Sequence, residues 1–200
     1  LMRHPGVIDE LADERLLHGR FDGPDYLGEL EDRHAAWERS GEADEEMLLD
    51  TLRHAHHAEV FRTLVRDVEG HITVEQVADD LSALADATLQ CAIAWAWKHL
   101  KQAHRPQPRF GVIAYGKLGG LELGYGSDLD LVFLHAGVDG PTRGGPRPID
   151  TAQFFNRLGQ RVIHILTSHT RAGKVYEIDT RLRPSGISGV LVRHVEAFGD

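Results

Sequence analysis

Pro106-Gln107-Pro108 divides the chain into two halves with different periodicities, and this break constrains the fold more than any other feature. Proline bars helix continuation and pushes its predecessor toward extended geometry. Before the break, once past the glycines between Gly19 and Gly28, the chain carries almost no Gly or Pro and its apolar positions recur at helical spacing. After it, FGVIAYG and LDLVFLH read as two buried strands on either side of a glycine-rich turn. The expectation is an α+β chain, with a helical bundle region over residues 1–105 and a sheet-bearing region over residues 106–200.

Punctuation residues sharpen this outline. A short helix is expected up to Gly19, a second from about Asp25 to Arg39, and a third over EADEEMLLDTLRHAHHAEVFRTLVRDVEG, ending at Gly70. Thr73 and Gln76 match the capping-box pattern and open a fourth of some 30 residues. In the second half, IDTAQFFNRLGQRVIHILTSHT predicts an amphipathic helix with Phe154, Phe155, Leu158, Val162, Ile165 and Leu166 inward. KVYEIDTRLRPSG reads as a third strand and GVLV as a fourth, while GVDGPTRGGPRP reads as a surface loop.

Charge and composition exclude several classes of function. Residues 1–108 hold 22 acidic against 11 basic side chains, a balance of −11, and residues 109–200 hold 9 against 11, a balance of +2. No contiguous basic face emerges, so nucleic-acid binding is not expected. The single cysteine, Cys91, rules out a disulfide framework and a Cys-pair metal site. No apolar stretch reaches the roughly 18 residues of a membrane span, and the opening residues are too acidic for a signal peptide, so the cytoplasm is the expected compartment. The absence of an initiator Met at Leu1 and the ending at EAFGD suggest a piece of a longer chain. Among the 13 histidines, His54, His56 and His57 lack carboxylate or thiolate partners at ligand spacing and read as surface residues. His164 and His169 could touch a nucleotide, but satisfied polar residues at a core edge are the plainer reading. Trp95 and Trp97 read as bundle core or an interface, and Cys91 as a buried small hydrophobe.

Asp128 and Asp130 carry the chemical signal. On a strand, residues two apart share a face, so the two carboxylates project together while Leu129 and Leu131 enter the core. Such a pair favours a hard divalent cation between its oxygens, although two solvated acids at a strand edge would give the same spacing. Gly116-Lys117-Leu118-Gly119-Gly120 lies just upstream, where bare backbone amides and the Lys117 charge could meet a phosphate. The structural alternative for these glycines is a turn that needs positive φ. Asp179 sits on the Val175, Glu177, Asp179 face of the third strand and completes a three-carboxylate set if that strand neighbours Asp128. Arg181 and Arg183 follow it and could neutralise departing phosphates.

GVIAYGKLGGLELGYGSDLDLVFLH followed by YEIDTRLRPSG resembles the glutamine synthetase adenylyltransferases, bifunctional enzymes that attach AMP to glutamine synthetase and remove it again. Ala114-Tyr115-Gly116 and Gly124-Tyr125-Gly126-Ser127-Asp128-Leu129-Asp130 follow the wording of the attaching half. The resemblance implies a DNA-polymerase-β-like nucleotidyltransferase sheet as the catalytic core, with ATP as donor, Mg²⁺ as cofactor and a glutamine synthetase tyrosine as acceptor. It implies metal binding and catalysis by Asp128, Asp130 and Asp179. Nucleotide binding would fall to Gly116, Lys117, Gly119, Gly120, Ser127, Arg181 and Arg183. The PII signal protein and glutamine are the regulators it implies for the whole enzyme. The rival readings are phosphorolytic removal of AMP on the same carboxylates, and a non-catalytic nucleotide-sensing module.

Overall fold

Three aspartates open three of the helices, each by turning a side-chain oxygen back onto otherwise orphaned amides of the first turn. Asp22 caps α1 (Gly23–Ser40), Asp44 caps α2 (Glu45–Val68) and Asp150 caps α5 (Thr151–Thr167). The computed structural model describes residues 19–41, 44–100, 109–137, 140–143, 147–182 and 189–198. The helix expected before Gly19 and the proline break itself lie outside the described residues. The capping box is present as read. The Thr73 amide donates to Gln76 Oε1 at 2.9 Å and the Gln76 amide to Thr73 Oγ1 at 3.3 Å, immediately before α3 (Val74–His99). Among the described residues no helix is long and apolar enough to cross a membrane.

Two compact units emerge, interleaved along the chain. The first holds α1, α2 and α3 as far as Thr88, together with residues 121–126 and 169–175. Leu48 and Leu52 lie on one stripe of α2, and His56, at the next i+4 position, continues it. That spacing corrects the reading of His56 as a surface residue, since it is only 4% exposed. Arg53 is fully buried as well, and its guanidinium donates to the Leu49 and Gly173 carbonyls at 2.7 and 2.8 Å. A buried guanidinium is tolerable when its donors are met in this way.

The burial of His56 makes a pH prediction. Desolvation, reinforced by the charges of His57 and Arg53, pushes its imidazole down to about 3 from an ordinary 6.5. Between those values the unfolded chain binds a proton that the native chain refuses, so stability is intact above the unfolded pKa and declines as pH falls toward the folded one. At pH 4.5 this group alone should cost roughly 2–3 kcal/mol. Urea unfolding at pH 7.5 and 4.5 checks this: His56→Leu should show a visibly smaller acid loss than the parent, and equal losses would contradict the assignment.

The second unit contains the rest of α3 and a four-stranded mixed sheet. Strand β2 (Leu129–His135) is central, and every residue in it except Asp130 is buried. β1 (Phe110–Ala114) pairs with it antiparallel, Ala114 opposite Leu131 and Phe110 opposite His135. β3 (Ile178–Asp179) and β4 (Val192–His194) both run parallel to it, β3 beside Leu129–Asp130 and β4 beside Phe133–His135. The six apolar residues assigned to the inner face of α5 are all buried to within 1%. Trp97 meets Phe154 edge-on at 5.4 Å, and Trp95 and Cys91 are buried as expected. The third strand is far shorter than the sequence suggests. Val175 and Tyr176 are both buried and the Tyr176 amide is taken by the Leu166 carbonyl, so strand pairing begins only at Ile178. The fourth strand falls three residues later than GVLV.

Candidate functional site

Asp130 is the one residue of β2 left partly open to solvent, and Asp128 stands exposed just before the strand. Leu129 and Leu131 are both fully buried between and beyond them, as the alternation requires. Asp179 is the direct register partner of Asp130 across the parallel β2–β3 pair. Neighbouring strands lie about 4.8 Å apart, so these two carboxylates start from adjacent backbones. The sheet therefore places Asp130 beside Asp179, with Asp128 immediately before β2.

The glycine turn closes over the same place. The Asp130 carbonyl accepts from the Tyr115 amide at 2.9 Å, drawing the turn onto β2. Gly116 then adopts φ +55, and a Cβ built there would stand 2.2 Å from Asp130 Oδ2. Gly116 thus supplies clearance for a carboxylate, a role not legible from the turn alone. Positive φ, the structural alternative weighed for these glycines, applies to Gly116 and not to Gly119 or Gly120, the latter having φ −87.

Gly119 and Gly120 differ from expectation in a second respect. Their amides donate to the Tyr115 and Gly116 carbonyls, each at 3.0 Å, within the short helix α4 (Gly116–Gly119), so these two donors are spent inside the turn. What Gly119 provides is contact, because a Cβ there would meet the Ala114 carbonyl oxygen at 2.6 Å. Gly119→Ala should accordingly lower stability by about 1–3 kcal/mol through displacement of α4 from β1. Gly111→Ala, with open space around its Cβ, should leave melting unchanged. Equal melting temperatures for the two variants would contradict the packing role. Lys117 is exposed on α4, and Ser127 is half-buried next to Asp128.

Asp179 is held by Arg181. The Arg181 amide donates to Asp179 Oδ1 at 2.8 Å, and its Nε donates to Oδ2 at 2.8 Å and Oδ1 at 3.1 Å. These bonds hold the Asp179 carboxyl below its ordinary value, and the same pairing raises Arg181, with smaller contributions from Asp130 and Asp128. Arg183 lies outside the described residues. His164 and His169 are exposed, His164 bonding Ser168 Oγ at 2.9 Å.

Hard carboxylate oxygens on adjacent strands are a donor set suited to Mg²⁺, and the missing Cβ of Gly116 leaves room at Asp130 Oδ2. Among the described residues no three His, Cys, Asp or Glu side chains already stand in a metal-holding group. Asp179 instead pairs with Arg181.

Comparison with known proteins gives one consistent result. The profile of a family described as Glutamate-ammonia ligase adenylyltransferase matches residues 1–200. A protein of Aromatoleum aromaticum named bifunctional glutamine synthetase adenylyltransferase/adenylyl-removing enzyme is 45% identical over 198 residues, covering 99% of this chain and 20% of its own length. Proteins with the same name from Ralstonia nicotianae and Pseudomonas putida are each 43% identical, covering 99% and 98% of this chain and 19% and 21% of their own lengths. The chain spans about a fifth of the length of the curated relatives it matches.

Proposed function

The chain belongs to the glutamate–ammonia ligase adenylyltransferase family, and from that premise we propose that its site moves AMP from ATP to a tyrosine of glutamine synthetase, releasing pyrophosphate. The observation that carries this reading is the register of Asp130 against Asp179, with Asp128 two residues before Asp130 on the same strand end. Carboxylate oxygens offered from neighbouring positions are the donors that a hard divalent cation takes. The arrangement supports a DNA-polymerase-β-like nucleotidyltransferase core over residues 106–200, with residues 1–105 as a helical region.

Asp128 and Asp130 would hold Mg²⁺ through their side-chain oxygens, and Asp179 would complete the set. Bound there, the ion supplies charge neutralisation for the triphosphate and acidifies the attacking hydroxyl. Asp179, ionised at neutral pH as an ordinary carboxylate is, would be available to accept the tyrosine proton. Its depressed basicity makes charge its larger contribution. Lys117, Ser127 and Arg181 provide donors for the phosphates. Gly116, Gly119 and Gly120 shape the turn against Asp130 and β1. In the reaction the tyrosine oxygen bonds to the α-phosphorus, and the bond from that phosphorus to the β-phosphate oxygen breaks.

The tyrosine-bearing wording at Tyr115 and the run Ser127-Asp128-Leu129-Asp130 favour attachment over phosphorolytic removal. PII signal protein and glutamine would act on the whole protein. The test is transfer from ATP labelled at the α- or the γ-phosphate to glutamine synthetase, using the whole protein with Mg²⁺. Label should pass from the α-position only. Transfer of the γ-label, or of neither, would count against the reading.

A further inference from the structure

Arg181 is engaged with the wrong partner for a residue that meets phosphates. Its backbone amide and its Nε both bind the Asp179 carboxylate, so both oxygens of that carboxylate are occupied. The Arg181 side chain as a whole is nevertheless 74% exposed, while the Asp179 side chain is only 16% exposed. The lock is therefore inside the site and its key is on the surface. Asp130 faces Asp179 across the register, and the charges of Asp130 and Asp128 both act on Arg181.

We propose that Arg181 is a positioning residue that stands in for the divalent cation in the metal-free protein. It holds the Asp179 carboxylate in place until the cation takes those oxygens, and the released guanidinium then turns to the triphosphate. This rests on the reading of Asp179 as a metal ligand. The exchange involves no covalent step: one ion pair opens as cation–carboxylate contacts form, and the freed positive charge is met by phosphate oxygens. Metal and nucleotide binding are coupled as a result, because each consumes one partner of the same pair.

Arginine is needed for the lock because its planar fork can meet both carboxylate oxygens from a position two residues away, whereas lysine carries the same charge as a single point. Lysine therefore separates the bond from the charge. The experiment titrates Mn²⁺ alone into the whole protein without nucleotide, read by electron paramagnetic resonance, for the parent, Arg181→Lys and Asp179→Asn. Melting temperatures confirm that each is folded. Asp179→Asn should weaken Mn²⁺ binding about tenfold. Arg181→Lys should tighten it about threefold, the scale of an exposed carboxylate–guanidinium pair. In Mn²⁺-saturated protein, the same Lys variant should bind ATP more weakly than the parent by a similar factor. Unchanged or weaker Mn²⁺ binding in Arg181→Lys, with Asp179→Asn still impaired, overturns the lock and leaves the metal reading standing. Unchanged binding in Asp179→Asn overturns both.

Discussion

Asp130→Asn in the whole protein should lower AMP transfer by about 10²–10³-fold or more while leaving the melting temperature unchanged or slightly raised. The drop follows from removing a charged oxygen donor at the place where the triphosphate's charge must be met. Stability should hold because Asp130 faces Asp179 in register with Asp128 close by, and removing one like charge relieves repulsion. Asp128→Asn, at an exposed position before β2, should behave the same way. Circular-dichroism melting alongside a transfer assay checks both. A lower melting temperature with near-parental transfer would make these acids structural.

Gly116→Ala should be nearly as damaging for a different reason. Alanine at φ +55 costs about 1–2 kcal/mol of backbone strain, and its Cβ would stand 2.2 Å from Asp130 Oδ2. The carboxylate must rotate away, so transfer should fall by about tenfold to a hundredfold beyond any loss of folded protein, on the scale of a misplaced catalytic group. Gly41→Ala is the control, with φ +71 and nothing within 4 Å of the added Cβ. It should cost similar stability and no activity. Equal activity in the two variants would mean that Asp130 tolerates displacement.

Much of this was legible in the sequence because it depends on local rules. The capping box at Thr73 and Gln76, the six inward residues of α5 and the extent of β2 follow from side-chain period and hydrogen-bond chemistry within a few residues. The placement of Asp128 and Asp130 around buried Leu129 follows likewise. What escaped depends on partners distant in sequence or on turn geometry. His56 looked like one of three closely spaced histidines, yet the i+4 stripe from Leu48 through Leu52 buries it. The third strand looked long, but the carbonyls just before it are claimed by α2, with Gly173 meeting Arg53 and Lys174 meeting His57 Nε2 at 3.0 Å. The closeness of Gly116 to Asp130 needed the Tyr115 amide to find the Asp130 carbonyl. The pairing of Arg181 with Asp179 escaped as well, because their spacing in sequence does not reveal that the turn folds the guanidinium back.

The direction of the reaction is the central claim, and one measurement separates attachment from removal. Whole protein carrying Asp130→Asn is offered unmodified glutamine synthetase with labelled ATP and Mg²⁺, and separately AMP-bearing glutamine synthetase with inorganic phosphate. The account predicts that AMP attachment is lost while phosphate-dependent removal persists at the parental rate. Loss of removal with attachment intact would contradict it.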